Sequence, residues 1–195
     1  VCNSFIELDD KKDLNNLGDR VFGKENIIIG KGSNVAFSDK EFQGNVICPK
    51  FTTIEKNSET EITVGASVFL PDLSRYFKEN EYSNGEFLIG IPGTVGGAVK
   101  MNAGAYDWEF SDLIQHIECF DLSTSSIIKL SKEDINFSYR SSQNLDNKII
   151  LSATLKIEVG DINKINSNLA NFNKIRKKSQ PPATVSYTHL RAHET

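Results

Sequence analysis

Residues 89 to 106, IGIPGTVGGAVKMNAGAY, spend five of eighteen positions on glycine (Gly90, Gly93, Gly96, Gly97 and Gly104) and carry almost no charge. Glycine at this density weakens a helix or a strand, and the spacing is too irregular for either, so the stretch reads as a loop whose main chain something approaches closely. Thr94, Asn102 and Tyr106 hold most of its side-chain hydrogen-bonding capacity. Such a loop can set main-chain N–H and C=O groups against a flat polar ligand and keep bulky side chains out of its way. A packing turn within the protein is the alternative reading.

A second glycine cluster, IIIGKGSNV, opens like a dinucleotide fingerprint, because Gly30 and Gly32 follow an apolar run. Val35 stands where the third glycine belongs, however, and AFSDKEFQG follows in place of a helix, so the Rossmann context fails. Nor is it a Walker A loop, since Lys31 lacks the preceding glycine spacing and Ser33 does not follow it directly. The N–H groups of residues 30 to 34 can still converge on an anion such as a pyrophosphate. A tight turn between strands is the plainer interpretation. A coenzyme with a pyrophosphate and a broad ring would use both clusters.

Composition narrows the partners. Of 195 residues, 38% are hydrophobic and 25% charged, which suits one large domain or two small ones. A formal charge of -4 provides no field that would gather nucleic acid or an anionic membrane. The longest apolar run is interrupted by Gly90, Pro92, Gly93 and further glycines, so no membrane span is expected. Cys2, Cys48 and Cys119 are odd in number, far apart and without metal spacing. That argues against a disulfide framework or a metal site and for a reducing, cytoplasmic setting.

Periodicity predicts an α+β fold. NIIIG (26 to 30) and NVIC (45 to 48) read as buried strands, and TTIEKNSETEITVGA as two strands about a polar turn. Pro71 opens a helix with Leu73, Tyr76 and Phe77 on one face. LIQHIECFD and SSIIKL form a strand pair. KIILSATLKIEVG sets Leu151, Ala153, Leu155, Ile157 and Val159 against Ser152, Thr154, Lys156 and Glu158, as in a strand of a half-exposed sheet. Asp161 is a candidate N-cap for a helix with Ile162, Ile165, Leu169, Phe172 and Ile175 on one face, packed on that sheet and stopped by Pro181 and Pro182. The last eleven residues, VSYTHLRAHET, match codon by codon one reading frame of a transposase sequencing adapter. Residues 185 to 195 are therefore expected to be non-native, and His189 and His193, despite their i, i+4 spacing, to form no metal site. His116 then remains as a native histidine, inside a strand pattern.

Four blocks in this order, GKGSNVAFSDKEFQGNVI, GEFLIGIPGTVGGAVKMNAGAYDWEFSDLI, FSYRSS and IRKKSQPPAT, closely resemble the UDP-N-acetylenolpyruvoylglucosamine reductase family over residues 4 to 184. The resemblance implies an FAD-binding fold of the vanillyl-alcohol-oxidase (PCMH) type built from two α+β subdomains, residues 1–50 and 51–184. A third, substrate-binding domain would be missing. It implies a bacterial cytoplasmic monomer with noncovalent FAD, NADPH as co-substrate and a UDP-sugar enolpyruvyl ether as substrate, in peptidoglycan precursor synthesis. Carried onto this sequence, Gly30, Lys31, Gly32, Ser33 and Asn34 would hold the FAD pyrophosphate. Pro92, Gly93, Thr94, Val95, Gly96, Gly97 and Ala98, followed by Asn102, Gly104 and Ala105, would line the rest of the cofactor. Arg140 would bind and polarise the enolpyruvyl carboxylate, with Tyr139 beside it. By its residue type alone, apart from the resemblance, Arg140 reads rather as a surface cation.

Two family features have no counterpart here. One is the serine proton donor of a block following the QP segment, and the other an opening NTFGI-like segment, unless CNSF is its remnant. With no initiator Met at Val1, the expectation is a fragment truncated at both ends. Two other classes stay open: an oxidase of the same flavin superfamily, though neither cluster offers a His or Cys for covalent flavin, and a module that only binds FAD.

Overall fold

The computed structural model describes residues 2–17, 21 and 23–179; the adapter-like stretch with Ser186, His189 and His193, and the prolines at 181 and 182, lie outside them. Strand β1 (Cys2–Leu8) leads into a 3-10 turn, Lys11–Asn16, capped by Asp10, whose carboxylate accepts the Lys12 N–H. Strands β2 (Asn26–Ile28) and β3 (Phe42–Pro49) follow. The three make a parallel sheet of order β1-β3-β2, with Ile47 of the central strand fully buried.

The second half begins with the hairpin β4 (Ile54–Lys56) and β5 (Glu61–Gly65), turning through the polar residues NSET, 57 to 60, and continues into helix α1 (Leu70–Glu79). Pro71 sits in the first turn of α1, and Leu73 and Phe77 bury its inner face, as the spacing predicts. A 3-10 turn, Glu86–Gly90, precedes helix α2 (Val95–Met101). The short strands β6 (Gly104–Ala105) and β7 (Trp108–Glu109) then form a hairpin. Next come β8 (Ile114–Asp121), β9 (Ser126–Ser131), the single turn α3 (Lys132–Ile135), the hairpin β10 (Phe137–Ser138) and β11 (Ser141–Ser142), strand β12 (Lys148–Lys156) and helix α4 (Ile162–Ser179). The larger sheet is antiparallel, of order β4-β5-β12-β8-β9.

Three expectations need correction. Residues 95 to 101 are helical in spite of Gly96 and Gly97. Two glycines disfavour a helix by about 1 kcal/mol each, yet here tertiary contacts outweigh propensity. Val95 and Val99 are fully buried, and the Val95 and Gly96 N–H groups donate to Val68 O and Ala66 O at 3.0 and 2.8 Å. Helix α4 does carry Asp161 as its cap, with the Asn163 N–H donating to Asp161 Oδ1 at 2.7 Å. It packs on the Glu86–Gly90 turn and the edge of α1, however, and not on the sheet. Strand β12 is central and covered on both faces: Thr154 is buried against Thr63, with hydroxyls 3.0 Å apart, while Val159, beyond the strand end, is 65% exposed.

A large apolar cluster built on Phe77, Phe87 and Phe110 fills the space between the five-stranded sheet and the helices. A second cluster joins the two sheets, because Ile6, Leu8, Leu14 and Ile47 pack with Phe120, Leu122, Ile149 and Leu151 at the ends of β8 and β12. Lys11 and Glu118 pair across this junction, and Ser67 Oγ donates to Pro49 O at 2.6 Å. Burial of this kind, at roughly 25 cal/mol per Å², fixes the first sheet against the second and with it the two glycine clusters.

Candidate functional site

The two clusters meet. Strand β2 ends as the Ile29 N–H donates to Ile47 O at 2.9 Å, and the chain turns out over α2. Gly30 lies so close to Thr94 that an added Cβ would sit 2.3 Å from Thr94 Oγ1. Ser33 Oγ donates to Pro92 O at 3.2 Å, and a Cβ on Gly93 would fall 3.2 Å from that same hydroxyl oxygen. Gly32 and Gly93 have φ of +70° and +140°, conformations that exclude most side-chain-bearing residues. The Lys31 ammonium lies 4.2 Å from the Phe69 ring centroid, and Phe69 in turn bridges to Thr94. Cation–π contact of this kind holds the exposed ammonium beside the turn.

At the other end of α2, Asn102 closes the helix in the left-handed region at φ +40°. Its side chain is completely buried and fully engaged: Nδ2 donates to Glu109 Oε2 at 2.7 Å and to Ser138 O at 3.0 Å, and Oδ1 accepts from the Ser111 N–H at 3.1 Å. Gly104 is pressed against β7, where a Cβ would lie 2.4 Å from Trp108 O. Arg140, at the tip of the β10–β11 hairpin with φ +54°, donates from Nη2 to Gly104 O at 2.7 Å, and the neighbouring Tyr139 is 80% exposed. Ser142 Oγ donates to Lys100 O at 2.6 Å and docks this hairpin on α2.

The seven residues of α2, at about 1.5 Å rise each, separate the two ends by roughly 10 Å. One end offers main-chain donors, an exposed lysine and open space at Gly32, where a Cβ would meet nothing within 4 Å. The other offers a guanidinium, with the exposed Gly97 and part-exposed Ala105 along the way. An elongated cofactor with a diphosphate near one end and a ring system near the other suits that spacing. Val95, Ala98 and Thr94 instead bury their side chains in the core, and Asn102, completely buried with both amide hydrogens bonded within the protein, presents no side-chain donor to a ligand. Phe69, the Ser33 link to Pro92 and the Glu109 partner of Asn102 were not legible in the sequence, because each depends on a contact distant along the chain or on local side-chain direction.

Trp108 borders two cavities of about 490 and 330 Å³, and neither is lined by residues 30–34 or 92–98. His116, on β8, is shifted below its ordinary value by burial and by Lys129, and takes no part in either cluster. Among the described residues there is no grouping of His, Cys, Asp or Glu able to hold a metal, and no helix long and apolar enough to cross a membrane.

A parallel three-stranded lobe joined to an α+β lobe, with glycine turns from both meeting along a short helix, defines a flavin-binding fold of the vanillyl-alcohol-oxidase (PCMH) type. The FAD binding domain family matches residues 20–131, and the chain belongs to that family. Its relatives include the UDP-N-acetylenolpyruvoylglucosamine reductases of Rickettsia massiliae (strain Mtu5), 39% identical over 155 residues, and of Caldicellulosiruptor saccharolyticus, 39% identical over 161 residues. These alignments cover 78% and 79% of this chain but 52% and 50% of the relatives, so the chain spans about half their length. The crystal structure of UDP-N-acetylenolpyruvylglucosamine reductase (MurB) from Thermus caldophilus superposes with a TM-score of 0.80 at 28% identity, over 91% of this chain and 64% of that one. Cholesterol oxidase from Brevibacterium sterolicum, at 10% identity and a TM-score of 0.59 over 80% of this chain and 34% of that one, shares the fold. The resemblance carried by the four sequence blocks is thus borne out.

Proposed function

We propose that this chain is the FAD-binding part of an NADPH-dependent reductase that converts UDP-N-acetylglucosamine enolpyruvate to UDP-N-acetylmuramate for peptidoglycan precursors. On this reading it serves cell shape and division as a monomer in the bacterial cytoplasm. The observation that carries it is the meeting of the two glycine turns at one end of α2 with Arg140 anchored at the other. Residues 30–34 would hold the diphosphate through main-chain N–H groups, with Lys31 adding charge. Pro92, Gly93, Gly97 and Ala105 would leave room for the remainder of a noncovalent FAD, with Gly96 and Gly104 seated against Ala66 and the Trp108 carbonyl. A bound FAD, once reduced by NADPH, would supply the hydride for the enolpyruvyl double bond. Arg140 would pair with the substrate carboxylate through two parallel N–H donors and stabilise negative charge gathering there. Its hydrogen bond to Gly104 O fixes one edge of the guanidinium, and the exposed Tyr139 ring lies 5.5 Å from its central carbon, beside the substrate's expected place.

Gly97→Ala tests the cofactor placement. Gly97 is exposed on α2, and an added Cβ meets nothing nearer than Thr94 Oγ1 at 3.7 Å. Alanine should therefore stabilise the unliganded chain by up to about 1 kcal/mol, yet weaken FAD binding by about 10-fold or more if the cofactor lies against this helix. A more stable chain with unchanged FAD affinity, read by flavin fluorescence quenching, overturns the placement. A wild-type chain that takes up no FAD removes the proposal.

A further inference from the structure

Tyr106, inside the glycine-rich stretch, lays its side chain on helix α4. Its ring stacks on Phe172 with centroids 4.2 Å and planes 7° apart, and its hydroxyl donates to Phe172 O at 3.0 Å. Gly90 makes the space, since a Cβ there would lie 3.1 Å from the Tyr106 hydroxyl oxygen. The contact is needed locally. Tyr106 and Asp107 form the tip of the β6–β7 hairpin with φ of +57° and +65°, a turn that ordinarily calls for Asn, Asp or Gly at both positions. Asp107 suits it, whereas the bulky Tyr106 does not, so the turn depends on what grips the tyrosine from outside.

The same hairpin holds the candidate site together. Gly104, two residues before Tyr106, gives its carbonyl to Arg140. Glu109, on the returning strand, accepts from Asn102, whose other amide hydrogen reaches Ser138 in the strand before Arg140. We propose that the Tyr106–Phe172 contact is a positioning device through which helix α4 fixes the β6–β7 hairpin and, through Gly104 and Asn102, the placement of Arg140. Tyr106 and Phe172 are positioning residues in this scheme, since they act through the main chain at Gly104. The coupling itself stands on the contacts above; its consequence for turnover rests on the proposed reductase function.

Amide hydrogen exchange on the 195-residue chain tests the coupling without any cofactor. Phe172→Ala should speed exchange by about 10-fold or more in residues 103–109 and also in 137–142, with β5, β8 and β12 unchanged. Phe172→Leu, which keeps apolar volume under α4 but loses the stack, should show the same two segments to a smaller degree, and Phe172→Tyr should restore wild-type exchange. Tyr106→Phe, which loses the hydroxyl alone, should give the smallest rise in both. If Phe172→Ala unfolds the whole chain, the Leu and Tyr106→Phe variants decide. Faster exchange confined to α4, or to 103–109 without 137–142, overturns the proposal. FAD titration of the same variants keeps the two readings separate: a wild-type chain that fails to bind FAD counts against the proposed function and leaves the exchange result to judge the coupling.

Discussion

Replacing Gly30 by alanine probes the contact on which the candidate site depends. Gly30 is not in the left-handed region, so alanine brings no backbone strain there and the whole effect is steric. The new Cβ would stand 2.3 Å from Thr94 Oγ1, 3.2 Å from its Cγ2 and 3.3 Å from its Cβ. Rotating the threonine exchanges one close atom for the other. Withdrawing it is resisted, because Thr94 is buried, its carbonyl accepts the Ala98 N–H at 2.8 Å, and its backbone bridges to Phe69. Overpacking of this kind costs about 1 to 3 kcal/mol, and the rigidity of the neighbour places Gly30→Ala in the upper part of that range.

Thr94→Ala alone should cost about 1 kcal/mol through the lost buried methyl and hydroxyl. In the double variant both offending atoms are gone, so its cost should approach that of Thr94→Ala, giving a coupling about as large as the Gly30→Ala cost itself, about 2 to 2.5 kcal/mol. Urea unfolding of the four proteins measures this. At roughly 2 to 4 °C per kcal/mol for a domain of this size, Gly30→Ala should lower Tm by about 4 to 10 °C. The control is Gly32→Ala, where a Cβ meets nothing within 4 Å but φ is +70°, so its penalty of about 1 kcal/mol should be indifferent to Thr94. Additivity of the Gly30 and Thr94 changes to within about 0.5 kcal/mol would mean that the two glycine clusters do not touch in solution.

Asn102→Ala should destabilise by about 3 to 5 kcal/mol, because it strands Ser138 O, the Ser111 N–H and Glu109 and leaves alanine at φ +40°; Asn102→Gly should recover about 1 kcal/mol, and equal costs for the two would deny the backbone contribution. Burial raises the Cys119 thiol from 9.0 to about 11, so between those values the unfolded chain loses the proton first and stability falls as pH rises; Cys119→Ala should flatten that fall, in urea titrations from pH 8 to 10.5, by up to about 2 kcal/mol. In a reductase carrying this sequence, Arg140→Ala should leave flavin reduction by NADPH nearly intact and slow reoxidation by the enolpyruvyl substrate by about 100-fold or more; equal losses in the two stopped-flow half-reactions would make Arg140 structural.

What the sequence could not reveal was the partner of each glycine. The clusters were legible as places of close approach, and the resemblance assigned all of them to a cofactor. At Gly30, Gly96 and Gly104 an added Cβ would meet Thr94, Ala66 and the Trp108 carbonyl, so the fold itself needs glycine there whatever ligand binds, while Gly32 has open space and Gly97 nothing nearer than Thr94 Oγ1 at 3.7 Å. A glycine has no side chain whose polarity could signal which of these it serves, and the deciding neighbour of Gly30 lies more than sixty positions away. Period-2 strands were readable because a residue's face in a strand follows from its own position, as with Leu151, Ala153 and Leu155. The packing of α4 was not, since its apolar stripe specifies that it must be covered but not by what. Asn102 shows the same limit from the polar side. Its residue type suggested a hydrogen-bonding contact to a ligand, and the fold spends that capacity on joining α2, the β6–β7 hairpin and the β10–β11 hairpin. The chemistry visible in this stretch of sequence is therefore of two kinds: residues such as Gly97 and Arg140 that face outward and can meet a cofactor or substrate, and residues such as Gly104 and Asn102 whose service is to hold the first kind in place. Substitutions of the second kind should change stability and ligand binding together, whereas Gly97→Ala should drive them in opposite directions.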